Sequence, residues 1–580
     1  MKILLIYPYP LFDRSKSHEE DITVPPIGLY TIAAVLKAHR FDVEVLNWSN
    51  IHKTPQHVAE TFRTERPDLV AFSILNANRW GGIELGQIAK QIDPQVTVVF
   101  GGVGASFLWE HLLTHFPVVD VVVIGEGEYT FLNLVNALAT GDSGSLEQIP
   151  GIAFRKGGEI RKTASAPFIQ DLDALPIPAR YFTYHHVVSS RGCPGRCTFC
   201  GSPTFWARQV RFRSPDNFVE ELELLYQKGV RFFYFSDDTF TLNKQRAIAI
   251  CKRILARGLA ITWFAISRAD CVNESVLYWM RTAGCIQLSY GVESGSPRMR
   301  AVLGKPLKTD HIKTAFSLTH RFGILARAYF IYGAPGETWE TIQETVALLK
   351  EIKPLVVISY ILEIYPGTQL YADFLARTNQ TDDIWLERIE GICHFEVDPS
   401  LTQDDILAFG RAIREALYAN LYAFSEALAL VDDPAFYEMH GDFCSRLAMT
   451  FSHGDYANIE QITGRLEIAE NLFKRALSYA PTERAFLGLA LLKQRDARVP
   501  EAIRLLEEGL SHFPESEELT VCLGTQYMNQ GRFEEALRIL HRFEQSPRAL
   551  HHIALCYQAR GDSKQEAAFR DRAQSLENRS

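Results

Sequence analysis

The sequence predicts an α/β protein with three regions: an N-terminal doubly wound parallel sheet, a central partial (β/α)6 barrel and C-terminal all-α helical repeats. In the first third, Val/Ile/Leu-rich runs alternate with helical patterns, which is typical of a parallel sheet covered on both faces. A second alternation begins near residue 185 and contains six strand-like runs. After about residue 400 strand signals fade and helical periodicity continues.

Composition narrows the class of protein. Of the 580 residues, 47% are hydrophobic and 22% are charged, the balance of a soluble protein with several domains. The formal net charge is −9. The chain therefore lacks the excess of basic residues that is typical of nucleic-acid-binding proteins, and we expect no nucleic acid among the partners. No signal peptide or run of membrane-spanning length is recognisable, which predicts a cytoplasmic protein without integral membrane association.

Three strand ends of the first predicted sheet carry ligand-binding signals. The predicted strands are 1–6, 43–46, 69–74, 96–100 and 118–124. Their ends are followed by Ser73 and Asn76, by Gly101, Gly102 and Val103, and by Gly125, Glu126 and Gly127. Each glycine could simply make a tight strand-to-helix turn. Three such ends on one sheet edge favour a ligand site, because glycine allows close backbone approach and parallel sheets bind ligands at this edge.

The order of motifs in this region resembles a known domain. The runs YPYP, PPIGLYTIAAVLK, VVFGGVGAS and VVVIGEGEYTF are similar to the cobalamin-binding domain in front of many radical S-adenosylmethionine (SAM) enzymes. The resemblance implies a Rossmann-like domain over 1–140 in which the eight strand-end residues above bind cobalamin. The Asp-x-His-x-x-Gly signature is absent, since neither His39 nor His52 has that context. A cofactor without a histidine on its lower face is therefore implied.

Three cysteines carry the strongest chemical signal. Cys193, Cys197 and Cys200 lie in SSRGCPGRCTFCGSP, and this spacing suits three thiolates on one 4Fe-4S cluster. Because three thiolates cannot fill four irons, one iron stays open, which indicates chemistry rather than scaffolding. A zinc site normally needs four ligands, although His185 and His186 just upstream leave a structural zinc site open as an alternative.

The region from about 180 to 375 resembles the radical SAM core. The predicted strands are 187–190, 232–236, 261–266, 287–290, 326–332 and 356–364. The resemblance places Phe199 at the family's aromatic position against adenine. It also places Gly333, in YGAPGETWE, at the adenine-side turn.

Other residues at these strand ends suit the chemistry of SAM, which presents an amine, a carboxylate and ribose hydroxyls. Asp237 and Asp238, after the second strand, could accept from the amine. Arg268, after the third, could pair with the carboxylate. Glu293 and Ser294, after the fourth, suit the ribose or the methionine part. The alternatives are a helix N-cap for the two aspartates and a surface ion pair for Arg268.

The remaining regions are predicted to connect and extend these domains. We expect a linker at 141–184, the core at 185–375, a helical extension at 376–450 and repeats at 451–580. Ala469, Ala502 and Ala536 recur at separations of 33 and 34 residues, the period of a tetratricopeptide array. Such an array could bind a protein partner, or cap or dimerise the chain.

The resemblance implies a cobalamin-dependent radical SAM enzyme with a 4Fe-4S cluster, SAM and cobalamin as cofactors. The leading hypothesis is C-methylation of an unactivated carbon through a 5'-deoxyadenosyl radical and methylcobalamin. The alternatives are an oxidative cyclase or rearrangement enzyme without methyl transfer, and a non-catalytic cluster-bearing scaffold. Expected partners are a small-molecule or peptide substrate and a reductant such as flavodoxin or ferredoxin. No general acid or base is predicted.

Overall fold

The computed structural model describes residues 1–10, 26–51, 55–141 and 143–578. The predicted fold class is confirmed, and the chain divides into two compact units. Unit 1 comprises Met1–Phe316, Arg327–Ile352 and Val356–Ile413, and unit 2 comprises Ser317–Ala326, Lys353–Leu355 and Arg414–Ser580. In the described part of the chain, no helix combines the length and apolarity that crossing a bilayer requires.

The N-terminal sheet has seven strands in the order β2-β1-β3-β4-β5-β6-β7. They are β1 Lys2–Tyr7, β2 Asp42–Asn47, β3 Leu69–Ser73, β4 Thr97–Gly101, β5 Val121–Val123, β6 Ile152–Lys156 and β7 Glu159–Lys162. The helices are α1 Ile27–Ala38, α2 Pro55–Glu65, α3 Arg79–Ile92, α4 Val103–Phe107, α5 Trp109–His115 and α6 Glu128–Thr140. The first five strands are parallel, and the order reverses at β1 and β3, the usual ligand position of such sheets.

Two strands in this sheet were not predicted. The segment expected to be a linker contributes β6 and β7, which extend the sheet in antiparallel pairing. Charged and glycine residues in AFRKGGEIRK hid their alternation. β7 is the edge strand of this sheet, and β6 lies next to it. The β6 residues Ile152, Ala153 and Phe154 are nevertheless buried.

The central sheet has six strands in the order β15-β14-β13-β12-β11-β8. The strands from here on are β8 His186–Val187, β9 Ser190–Arg191, β10 Arg211–Phe212, β11 Phe232–Phe235, β12 Thr262–Ser267, β13 Cys285–Glu293, β14 Leu325–Tyr332, β15 Val356–Ile361, β16 Glu363–Ile364 and β17 Ile392–Cys393. All six predicted strands are present. The first is shorter than expected, because Ser190–Arg191 leaves the sheet to pair with β10.

Helices cover the central strands and then dominate the chain. They are α7 Ser202–Phe205, α8 Pro215–Gln227, α9 Lys244–Ala256, α10 Glu274–Thr282, α11 Pro297–Val302, α12 Thr309–Arg321, α13 Trp339–Ile352 and α14 Gln369–Thr378. Within unit 1, one hydrophobic core joins Phe72 and Phe100 of the first sheet to Met299 and Trp385. The N-terminal sheet thus shares a buried apolar core with segments that follow strands of the central sheet.

The C-terminal region is helical, as predicted. Its helices are α15 Gln403–Glu426, α16 Tyr437–Ser452, α17 Arg465–Tyr479, α18 Glu483–Arg495, α19 Val499–His512, α20 Glu517–Asn529, α21 Phe533–Leu540, α22 Pro547–Ala559 and α23 Ser563–Glu577. Ala469, Ala502 and Ala536 lie on α17, α19 and α21 and are fully buried. The small side chain at each position therefore packs where neighbouring helices meet.

Candidate functional site

The three cysteines lie in one loop, residues 192–201, which we call the cysteine loop. It connects β9 to α7, and all three thiols are partly buried and free of disulfide bonds. Gly192 begins the loop with φ +95°, and a Cβ there would collide with the carbonyl oxygen of Gln209. Only glycine tolerates both the positive φ and the lack of space for a side chain.

Gly195 marks the point on which the site converges. A Cβ at this position would lie 3.3 Å from Cys193 Sγ, 3.7 Å from Cys197 Sγ and 3.9 Å from Arg268 Nη1. The absent side chain leaves space between two sulfur atoms and a cation. Free thiols around such a space fit a metal cluster, since thiolates are the ligands of iron–sulfur centres.

Burial disfavours the thiolate form of two of these cysteines, and nearby cations oppose this effect at one of them. Burial raises the pKa of Cys197, whereas Lys305 and Arg268 lower it. Burial likewise raises the pKa of Cys200 to about 11. Thiols in such surroundings stay protonated unless a metal ion compensates the negative charge.

Lys305 is a site residue that the sequence reasoning missed. Its Nζ donates to Glu293 Oε1 at 2.7 Å, and both side chains are buried. The pair packs directly over Gly291, where a Cβ would collide with both groups. Glu293 also has φ +63°, unusual for a residue with a side chain. Lys305 escaped notice because it follows α11 rather than a strand end.

The other predicted SAM residues have diverse partners. Arg268 donates twice to Asp270, at 3.0 and 2.9 Å, so the alternative ion pair does form, yet the guanidinium also acts on Cys197. Ser294 accepts from the Ser296 N–H at 3.1 Å, inside the turn after β13. Phe199 packs against the shared core of unit 1.

The two adjacent aspartates differ in their hydrogen-bond partners and in what they face. Asp237 is buried and accepts from the Ser189 N–H at 3.1 Å, the Ser189 hydroxyl at 2.7 Å and the Ser190 hydroxyl. It therefore holds the chain just before the cysteine loop, instead of presenting a free carboxylate. Asp238 accepts from Ser202 Oγ at 2.6 Å and lines the large cavity described next. Enclosure in this recess raises the pKa of its carboxyl group.

A cavity of about 730 Å³ opens along the carboxyl edge of the N-terminal sheet. All eight strand-end residues predicted for cobalamin line it: Ser73, Asn76, Gly101, Gly102, Val103, Gly125, Glu126 and Gly127. Gly201, Ser202 and Asp238 from the central domain line it as well. Its size is that of cofactor sites, and a Cβ on Gly125 would meet nothing within 4 Å. The open glycine edge fits a bulky ligand.

Buried ion pairs connect this edge to the cysteine loop. Glu126 accepts from Arg191 Nη1 at 2.7 Å, Arg211 Nη1 at 2.6 Å and the Ile169 N–H at 2.8 Å. Glu128 accepts from Arg191 Nη2 at 2.5 Å. Burial opposes ionisation of Glu128, but Arg191 lowers the pKa of its carboxyl group. Since Arg191 lies two residues before Cys193, these ion pairs join the glycine edge of the N-terminal sheet to the cysteine loop.

Two family models match the regions just described. The B12 binding domain matches residues 21–135, and the radical SAM superfamily matches residues 187–349. The chain is also 34% identical to an uncharacterized methyltransferase, PH0819, of Pyrococcus horikoshii, over 64% of this chain and 82% of the relative. The chain belongs to the B12-binding radical SAM enzymes. These matches confirm the predicted cofactor set of a 4Fe-4S cluster, SAM and cobalamin.

Other proteins similar to this radical SAM enzyme include both a cyclase and a methyltransferase. An anaerobic magnesium-protoporphyrin IX monomethyl ester cyclase of Cereibacter sphaeroides is 30% identical over 60% of either chain. The structure of the radical SAM methyltransferase TsrM from Kitasatospora setae, with cobalamin and a [4Fe-4S] cluster bound, has a TM-score of 0.59. It is 17% identical and covers 82% of this chain and all of that chain. Methyltransferases recur among the sequence relatives, which supports methyl transfer over cyclisation.

The histidines near the site do not complete a zinc site with the cysteines. The His186 ring stacks on Tyr234 with centroids 4.3 Å apart, and its Nδ1 lies 3.1 Å from Ser236 Oγ. Among the described residues, no group with metal-ligand spacing combines His185 or His186 with a cysteine. His52 lies outside the described residues.

Glu337 is a second residue that the sequence did not reveal. Its surroundings predict that the stability of the protein depends on pH. Its Oε2 accepts from the Gly333 and Ala334 N–H groups at 2.5 and 3.2 Å, bracing the predicted adenine-side turn. Burial raises its pKa to about 7. Between about pH 4.5 and 7 the native carboxyl group therefore holds a proton that the unfolded chain releases. We expect this group to reduce the free energy of unfolding by about 3 kcal/mol over that range as pH rises.

Glu337→Gln tests this expectation, because one amide oxygen can accept from both N–H donors without titrating. Urea unfolding at pH 5 and 7.5 should show less loss of stability with rising pH in this variant than in the parent. Glu340→Gln is the matched control, since Glu340 is exposed three residues further on, in the first turn of α13, and the Thr338 hydrogen bond lowers its pKa. An unchanged pH dependence in Glu337→Gln would refute the assignment.

Proposed function

We propose that this radical SAM enzyme methylates an unactivated carbon of a substrate bound in the 730 Å³ cavity. One observation carries the proposal: the residues predicted for cobalamin and one residue predicted for SAM, Asp238, line the same cavity. A substrate between them would be within reach of both cofactors. When bound, these cofactors supply a 5'-deoxyadenosyl radical and a methyl group.

The chain's own residues have distinct roles in this proposal. Cys193, Cys197 and Cys200 hold the cluster, and Gly195 leaves room for it. Arg268 and the Glu293–Lys305 pair supply the charges that would orient the methionine part of SAM. Gly101, Gly102, Val103, Gly125 and Gly127 form the cobalamin surface, with Ser73 and Asn76 at its rim. Glu126 acts indirectly, by holding Arg191 and thus the cysteine loop.

The cavity wall indicates the class of substrate. Phe107, Phe205 and Trp206 line it together, with the Phe107 and Phe205 rings 6.2 Å apart and the Phe205 and Trp206 rings 4.7 Å apart, both edge to face. Aromatic walls favour apolar, ring-bearing ligands. We therefore propose a small molecule with a large apolar surface, and the enclosure would protect a radical from water.

Product analysis decides between methylation and cyclisation. The anaerobically reconstituted enzyme, reduced and given SAM and candidate substrates, should form 5'-deoxyadenosine together with S-adenosylhomocysteine. Cyclisation or rearrangement requires no methyl donor, so 5'-deoxyadenosine without S-adenosylhomocysteine would favour the function suggested by the cyclase relatives. Absence of both products with every reductant, flavodoxin and ferredoxin included, would favour a scaffold.

For the C-terminal helices we propose a tetratricopeptide-like array that binds a protein partner. The 33- and 34-residue spacing of the buried alanines supports it, because small residues at a fixed period allow helix pairs to stack.

A further inference from the structure

Two histidines and one aspartate of unit 1 form a cluster that none of the cofactors uses. His111 and His115 lie one turn apart on α5, with ring centroids 4.9 Å apart. Asp383 comes from the turn after α14, and its Oδ1 lies 2.9 Å from His115 Nε2 and 4.0 Å from His111 Nδ1. One ligand atom from each residue lies within 4.8 Å of the others. None of the three lines the large cavity.

His111 is the unusual member of this cluster. Its side chain is 2% exposed, yet neither ring nitrogen has a hydrogen-bond partner within the described residues. Burial also disfavours the charged form of this ring and lowers the pKa of His111 to about 4. A buried polar group without a partner is costly, and a bound cation would satisfy this one.

We propose that His111, His115 and Asp383 bind one divalent transition-metal ion, with Zn²⁺ as the best match. Two imidazoles four residues apart on a helix and one carboxylate are a common set of three protein ligands for zinc, and water can supply the fourth. Two further charges act on His111: Asp382 favours a cation, and Arg79 disfavours it. The Arg79 guanidinium is directed towards backbone carbonyls of Trp385 and Ile389, at 3.3 and 3.2 Å.

The ion would fasten one wall of the cobalamin cavity. Residues 385–390, directly after Asp383, accept hydrogen bonds from the loop that follows β3 and from the first turn of α3. Asn76 Nδ2 donates to the Glu390 carbonyl at 2.5 Å, and Trp80 Nε1 to the Glu387 carbonyl at 3.2 Å. Because Asn76 lines the cavity, a metal ion that joins α5 to this segment would stabilise the rim. Its role is structural and separate from the chemistry of the cluster.

Zinc titration of the full chain tests the proposal. Cys193, Cys197 and Cys200 are first replaced by alanine, so that cluster thiolates cannot bind zinc. The chelator-stripped parent should then bind one Zn²⁺ per chain in competition with a chromophoric chelator, and Co²⁺ should give the visible bands of a tetrahedral site. His115→Ala and Asp383→Asn should each weaken zinc binding by more than about tenfold.

The control is His57→Ala, an exposed histidine on α2 of the same domain, which should leave zinc affinity unchanged. His115 and Asp383 are themselves exposed, so metal-free melting temperatures should match that of the parent. Added Zn²⁺ should raise the melting temperature of the parent and of His57→Ala, but not of the two ligand variants. Equal zinc affinity in parent and ligand variants, or no binding by the parent at 100 µM Zn²⁺, about the weakest binding useful in a structural site, would overturn the proposal.

Discussion

Replacing Cys193, Cys197 and Cys200 together by alanine should abolish both the iron–sulfur absorbance and SAM cleavage. The three thiols share one loop, and Cys193 and Cys197 face the space left by Gly195. Among the described residues, no group with metal-ligand spacing joins a histidine to these cysteines, and His186 is stacked on Tyr234. Without the cluster there is no open iron to bind SAM, so SAM would not be cleaved. The expected loss of turnover is at least about 10⁶-fold, the acceleration that an enzyme ordinarily provides.

The measurement is 5'-deoxyadenosine formation by the anaerobically reconstituted, reduced protein, alongside its optical spectrum and iron content. The matched control is Cys271→Ala, which removes a partly buried thiol next to Asp270, the partner of Arg268. This variant should keep the cluster and cleave SAM. A triple variant that retained the spectrum would show that other thiols bind the iron, and the central assignment would be wrong.

The sequence predicted the architecture well because period and spacing are local signals. All six central strands were recognisable from their apolar runs, and so were the first five strands of the N-terminal sheet. The strands that were missed or shortened lie at or next to the ends of the sheets. Strands β6 and β7 carry charged and glycine residues, so neither pattern nor propensity identified them. The departure of Ser190–Arg191 from the first barrel strand depends on pairing with β10, a contact twenty residues away.

The sequence predicts site candidates where residues follow strand ends, and it does not reveal candidates that depend on pairing in the folded chain. Gly101, Gly125 and their neighbours were found because parallel strands end on one edge. Lys305 and Glu337 lie on connecting segments, and only the fold brings them to Glu293 and to the Gly333 turn. Asp237 and Glu126 stay predicted ligand-binding residues, but their hydrogen bonds show positioning partners that a single sequence cannot reveal.

Gly101→Leu should remove cobalamin binding while preserving the fold. Gly101 ends β4 without a positive φ, and a Cβ there would lie 3.8 Å from Val123 Cβ, an ordinary van der Waals contact. The backbone therefore tolerates a side chain, but a leucine would occupy volume in the cavity that Gly101 lines. We expect cobalamin affinity to fall by at least about 100-fold, equivalent to about 2.7 kcal/mol. Equilibrium dialysis with hydroxocobalamin measures it.

Gly101→Ala is the size-matched control, because its single methyl group stays within contact distance of Val123 and should change affinity by less than about tenfold. The leucine variant should still assemble its cluster, since the cysteine loop is held through Glu126 and Arg191 and not through Gly101. It should therefore form 5'-deoxyadenosine without S-adenosylhomocysteine from methyl transfer. Unchanged cobalamin affinity in the leucine variant would place the cofactor away from this glycine edge. Loss of both products would instead mean that SAM cleavage itself requires cobalamin to be in place.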